Sequence, residues 1–158
     1  MDKIHIEAIT SGNQPLWDRV SAFAADCSWQ ETGAFLSEKM NKNDFLPWER
    51  VFVALQEEAI AGFCAFTKDS AVLGSKYSPY LGFLFVGEEF RSRHIGKALS
   101  AAVIQYAAEL GFPAVNLYTD LHGYYEKHGF AAIGEELAPW GERMTVYSYP
   151  IAPTAKEN

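Results

Sequence analysis

The stretch YLGFLFVGEEFRSRHIGKAL, Tyr80 to Leu99, decides how the chain is read. Tyr80 to Val86 is a short apolar, aromatic-rich run, the pattern of a buried strand, and Gly87 closes it. From Ile95 the apolar residues recur with a helical period: Ala98, Leu99, Ala102, Val103, Tyr106, Ala107 and Leu110. Gly111 stops that helix and Pro113 bars its continuation. Between strand and helix stand Arg91, Arg93, His94 and Lys97, a basic cluster in a chain whose net charge is −7. The first turn of a helix carries free backbone N–H groups and a partial positive charge. Together these bind phosphate without help from side chains. Gly96 lacks a Cβ, so a ligand can come close to the backbone there. Strand, turn and helix read as a pyrophosphate cradle. Taken alone, the same residues read equally well as a solvated, basic helix start. Their spacing matches neither GxxxxGK[ST] nor GxGxxG.

The elements on either side define one mixed domain. Lys3 to Ile9 alternates polar and apolar residues and predicts a strand. Leu16, Trp17, Val20, Phe23 and Ala24 predict a helix, and Glu31 to Met40 a second. Val51 to Gln56 and Ala59 to Thr67 read as a buried hairpin, with Gly62 marking a bulge. Beyond the long helix come a strand at Ala114 to Thr119, a short helix over Gly123 to His128, and a strand at Arg143 to Tyr149. This order predicts an α+β, α/β-like single domain over residues 1–150, with a mixed sheet and a tail at 151–158.

Composition narrows the function classes. The chain has 158 residues, of which 13 are Lys or Arg and 20 Asp or Glu, and this balance argues against binding nucleic acid. An acidic surface favours a cationic partner. The two cysteines, Cys27 and Cys64, form no CxxC pair and read as reduced core thiols. MDKIHIEAIT has no apolar signal segment, and no apolar run is long enough to span a bilayer. The expectation is a cytoplasmic protein that meets no membrane.

A second motif, LYTDLHGYYEKHGF, spans Leu117 to Phe130. With a strand end, paired tyrosines and Gly-Phe, it resembles the closing half of the GNAT superfamily of N-acetyltransferases. The family's phosphate turn reads [Q/R]-x-x-G-x-[G/A], and Arg91 to Gly96 follows it except at His94. The family's tyrosine four residues before Gly-Phe falls on Tyr125, which leaves Tyr124 as the structural neighbour. The whole element order also looks like this fold, in which a twisted, mostly antiparallel sheet carries helices on both faces.

The resemblance implies acetyl-CoA as cosubstrate and no metal. Backbone groups of Leu84, Phe85 and Val86 would pair with pantetheine as an added strand would. Arg91, Ser92, Arg93, His94, Ile95, Gly96 and Lys97 would hold the pyrophosphate. An amide near Phe85 or Val86 would stabilise the oxyanion. Tyr125 would protonate the departing thiolate as general acid. The acceptor is expected to be a small-molecule primary amine, attacking directly in a ternary complex. A protein N-terminus or lysine, or a non-catalytic acyl-CoA sensor, are the alternatives. Many proteins of this fold pair through edge strands or the C-terminal hairpin, so a homodimer stays open.

Two positions depart from the family pattern. His94 replaces a glycine, where its side chain could crowd the pyrophosphate, turn away, or donate to it. Tyr80 stands where some relatives carry a glutamate base. The acceptor-side candidates are Trp29, Trp48, Glu49, Tyr80 and Asp120, with His122 beside Asp120 and Trp140 among the other aromatics that could line the acceptor cleft. Asp120, His122 and His128 form no metal motif, as neither HExxH nor a cysteine partner is present. The absence of GxSxG argues against a serine hydrolase.

Overall fold

The computed structural model describes residues 3–69, 77–119, 123–138 and 141–151. In chain order the elements are β1 (Ile4–Ile9), α1 (Leu16–Asp26), α2 (Gln30–Asn41), β2 (Arg50–Gln56), β3 (Ala59–Thr67), β4 (Tyr80–Val86), α3 (Ile95–Leu110), β5 (Ala114–Thr119), β6 (Ala131–Leu137) and β7 (Arg143–Pro150). Single 3-10 turns at Glu88–Phe90 and Glu126–His128 lie within the two sequence motifs. The seven strands form one sheet in the order β1-β2-β3-β4-β5-β7-β6. Every neighbouring pair is antiparallel except β4 with β5. The result is the expected α+β architecture.

Alternation along the central strands builds a core on each face of the sheet. Val51, Val53, Phe63 and Ala65 pack beneath α1 and α2, against Val20, Ala24, Leu36 and Met40. Phe52, Ala54, Cys64 and Phe66 turn the other way, under Leu99, Val103 and Ala107 of α3. Both helical layers therefore grip the same two buried strands. The predicted bulge exists: the β2–β3 register slips beside Gly62.

Two expectations fail. The sequence reading has no strand over AAIGEEL, yet β6 is there. All its residues but Gly134 and Glu136 are exposed, so no buried face imposes a period-two pattern. Its alanines, glycine and glutamates are weak strand formers, held by pairing with β7. The predicted helix at 123–128 is only the 3-10 turn at Glu126–His128. Of the predicted tail only Ile151 is described, and its N–H donates to the Pro113 carbonyl at 2.8 Å.

Candidate active site

The site begins where the sheet parts. β4 and β5 share a single register pair, Tyr80 with Asn116. Buried Asn116 fixes that vertex by donating to the Pro79 carbonyl twice, from its backbone N–H and its side-chain amide, each at 3.0 Å. Beyond it the strands separate, and a bulge in β4 is part of the reason. The β3–β4 register runs from Ala65 with Gly82 to Phe63 with Phe85, so β4 gains a residue. Phe83 takes the strain at φ 56°. Gly82, a glycine inside a strand, is the sequence signal for this bulge that the reading passed over.

At the far end of β4 the chain turns into α3 by an unusual route. Ser92 and His94 lie in the left-handed region, at φ 67° and 62°. His94 therefore occupies the family's glycine position in the conformation glycine favours, one that histidine tolerates better than most residues. Its side chain is exposed and does not cap α3. The Ala98 N–H already closes on the His94 carbonyl at 3.0 Å. The preceding amides of Ile95, Gly96 and Lys97 have no side-chain cap and sit at the positive end of the helix dipole.

The basic residues divide their work. Arg91 Nε donates to the Val86 carbonyl at 2.9 Å, and its guanidinium lies over the Phe85 ring. Arg93 donates to Gln56 Oε1 at 3.1 Å and covers the Phe90 ring. Both arginines brace the turn against the strand ends. Lys97 instead lines a cleft of about 750 Å³ between α3 and the turn after β5, a size within the range of small-molecule sites. Ser100, Ala101, Ile104 and Ala108 form its α3 wall, and Tyr124, Tyr125, His128 and Phe130 the opposite one. These α3 residues were missed because the helical pattern draws attention to the buried stripe, while they sit on its flank.

The paired tyrosines take different places. Tyr124 is 43% exposed, and its hydroxyl lies 3.8 Å from where a Cβ on Gly96 would stand. It thus borders the helix N-terminus. Tyr125 is buried among Leu117, Phe130 and Tyr147. Burial pushes its phenol up to about 12, with smaller contributions from Tyr124 and from the buried Cys64 thiol on β3. The turn behind it is tightly made: the Glu126 carboxylate accepts the Gly123 N–H at 2.6 Å and the Tyr147 hydroxyl at 3.3 Å. Gly129, at φ 93°, lies so close to Tyr149 that a Cβ would come 2.8 Å from its ring. That conformation brings the Phe130 N–H back to the Tyr125 carbonyl at 3.1 Å.

The acceptor-side candidates are scattered. Trp29 is 48% exposed at the start of α2. Trp48 packs on Phe66 and Phe112, in the core under α3. Glu49 is buried, and each of its carboxylate oxygens accepts a backbone N–H at 2.7 Å, from Leu46 and from Lys68. Both residues help to hold the fold together. Tyr80 is buried at the vertex and donates to Glu136 Oε1 at 3.0 Å. Asp120, His122 and Trp140 lie outside the described residues. Among the described residues no group of three or more His, Cys, Asp or Glu is arranged to hold a metal ion, and no helix is long and apolar enough to cross a membrane.

A family model described as acetyltransferase (GNAT) family matches residues 17–130. No curated protein matches the sequence significantly. Solved structures do resemble the fold. An aminoglycoside 6'-acetyltransferase type Ii superposes with TM-score 0.73 at 22% identity, over 95% of this chain and 99% of the other. An aminoglycoside 6'-N-acetyltransferase complexed with coenzyme A gives 0.72 at 18%, over 96% and 99%. A GNAT-family acetyltransferase from Staphylococcus aureus Mu50 gives 0.68 at 17%, over 95% and 100%.

Proposed function

The chain belongs to the acetyltransferase (GNAT) family, a family of acyltransferase enzymes, and from that membership we propose that it moves an acetyl group from acetyl-CoA to a primary amine of a small molecule. The observation that carries this reading is a cleft that starts at the uncapped N-terminus of α3, at Lys97, and has Tyr125 in its opposite wall, on a sheet whose β4 and β5 share a single register pair. Helix end and parted strands suit the two ends of a thioester of coenzyme A. The α3 amides and Lys97 fit a pyrophosphate. The parted edge of β4 fits an extended amide chain, once Arg91 yields the Val86 carbonyl.

Bound acetyl-CoA supplies an activated acetyl thioester; the protein's residues place it and manage charge. An amide of β4 near Phe85 or Val86, past the bulge, would stabilise the negative charge that develops on the carbonyl oxygen. Tyr125 holds a proton beside the departing sulfur. A phenol at about 12 faces a thiol near ~8.5, so full transfer runs uphill by about 5 kcal/mol. Tyr125 therefore acts first as a hydrogen-bond donor to the developing thiolate, and its proton passes to the sulfur as the proton lost by the attacking nitrogen replaces it on the phenol. That amine must be neutral to attack. A net charge of −7 favours cationic acceptors, and the likeness to two aminoglycoside acetyltransferases supports an acceptor of that kind.

The test is thiol release from acetyl-CoA across a panel of amines. Release is expected to depend on the amine and to climb with pH toward the amine pKa, near ~10.4 for a lysine-like group. Amine-independent release at every pH would sink the reading. A second expectation concerns the cradle alone. The three atoms nearest to a Cβ on Gly96, the Tyr124 hydroxyl and a methyl each of Leu84 and Val86, lie at 3.8–4.0 Å. Gly96→Val should therefore fold but fill the space over the helix N-terminus. Calorimetric titration with CoA should show affinity weaker by about tenfold, roughly 1.4 kcal/mol, with little change in Tm.

A further inference from the structure

The parted edge of β4 is occupied by a side chain of its own chain. Hydrogen bonds show which residues lie on that edge. The Gly87 N–H donates to the Ala61 carbonyl of β3 at 2.8 Å. The Phe85 carbonyl oxygen lies 2.6 Å from where a Cβ on Gly62 of β3 would stand. Phe85 and Gly87 thus present these backbone groups to β3. Successive residues of a strand alternate between its two edges, so Val86 presents its own to the other edge, toward β5. β5 does not pair with it there, since the two strands share only the register pair of Tyr80 with Asn116. The Val86 carbonyl is taken instead by Arg91, whose Nε donates to it at 2.9 Å. The guanidinium lies 5.7 Å from the centre of the Phe85 ring. Arg91 is exposed, so it can leave the edge without disturbing the core.

Resting on the acetyltransferase reading, we propose that Arg91 is a latch that reserves the β4 edge for thioesters carrying phosphate. An extended amide chain that pairs with β4 must take the place of Arg91 on the Val86 carbonyl. A neutral amide N–H is the weaker donor, because a hydrogen bond from a charged group is roughly twice as strong. An amide chain arriving alone therefore gains little by the exchange. A phosphate changes the balance. The Nη groups of Arg91 have no hydrogen-bond partner among the described residues. They form a planar fork that suits two phosphate oxygens at once. Arg91 stands in the turn that leads to the N-terminus of α3, so a pyrophosphate seated there offers the fork its partner. The side chain is drawn off Val86, and the edge opens to the amide arm of the same molecule. The phosphates then do more than anchor the thioester: they admit its arm. A thioester without phosphate has no means of releasing Arg91. Arg93 provides the contrast within the same turn. It donates to Gln56 Oε1 at 3.1 Å, at the end of β2, and β3 separates that strand from β4.

The experiment is calorimetric titration of CoA, and of its phosphate-free arm pantetheine, into wild type, Arg91→Met and Arg93→Met, with no acceptor present. Methionine keeps an apolar stem beside the Phe85 ring and removes every N–H donor of the side chain. Arg91→Met should bind pantetheine about fivefold more tightly than wild type, the worth of one modest hydrogen bond. It should bind CoA no better, because the phosphate contact is lost with the latch. The preference for CoA over pantetheine should therefore fall by about fivefold or more. Arg93→Met should bind pantetheine as wild type does. Pantetheine binding that is unchanged, weaker or undetectable in Arg91→Met would overturn the latch. So would CoA binding that improves in step with pantetheine, since phosphate would then play no part in the release. An equal gain in Arg93→Met would also overturn it, because loosening the turn would be enough. If CoA fails to bind wild type at all, the acetyl-CoA reading falls and the latch with it; if CoA binds and the preference holds, only the latch falls.

Discussion

Tyr125→Phe is expected to lower kcat by about 10²- to 10⁴-fold, the usual worth of a positioned acid–base group, while CoA binds as before. The substitution removes one oxygen from a ring packed on Phe130 and Tyr147, so packing survives. The hydroxyl is what the reaction loses. If Tyr125 were only a core aromatic, kcat would hardly move. A second readout isolates the same group. Tyr125 has a folded pKa of about 12 against an ordinary value of 10.0. Below pH 10 both folded and unfolded chains keep the proton, and this contribution to stability is fully present. Between 10 and 12 the unfolded chain releases its proton and the folded chain does not. Stability then falls by about 1.4 kcal/mol per pH unit. The phenylalanine variant lacks that slope, so its Tm should drop less steeply than wild type above pH 10. Burial also pushes the Cys64 thiol up. It adds an alkaline slope to both proteins and cancels in the comparison.

The buried half of the molecule was legible in the sequence, and the exposed half less so. β3, β4, β5 and α3 fall where the apolar patterns put them, because each is pinned by burial on at least one face. β6 was invisible for the opposite reason: it lies at the sheet edge with little to bury. With it went a tie to the vertex, where the Tyr80 hydroxyl donates to Glu136 of that strand. The cradle was legible as residue types at a helix start. What each basic side chain does was not. Arg91 spends its charge on the end of the strand just before it, at Val86 and Phe85, and Arg93 on Gln56, far off in sequence, which leaves Lys97 to line the cleft. Glu49 shows the same limit. A carboxylate in an aromatic loop reads as a possible base until two backbone N–H groups are found on it.

Gly33→Ala should destabilise the fold by about 3 kcal/mol, the upper part of the range for overpacked cores, and lower Tm by roughly 6–12 °C for a chain of this size. α2 crosses α1 at this residue. A Cβ there would overlap the Ala24 carbonyl oxygen and stand 2.6 Å from Cys27 Sγ. Neither neighbour yields cheaply. The Ala24 carbonyl accepts the Cys27 N–H that ends α1, and Cys27 is itself buried in the core. To make room the helices must separate, and α2 carries the consequence to the site. Its Phe35 stacks on Phe83, at 5.7 Å between ring centres, and Phe83 is the strained residue of the bulge that helps to open β4 from β5. The cofactor cleft lies on the other face, under α3. Below its Tm the alanine variant should therefore bind CoA nearly normally yet transfer acetyl groups less efficiently. Thermal unfolding, CoA titration and kcat/KM on one preparation decide this. Loss of CoA binding in step with acetyl transfer, at a temperature where the variant is folded, would mean that the two faces are not separable and that α2 positions the whole of β4.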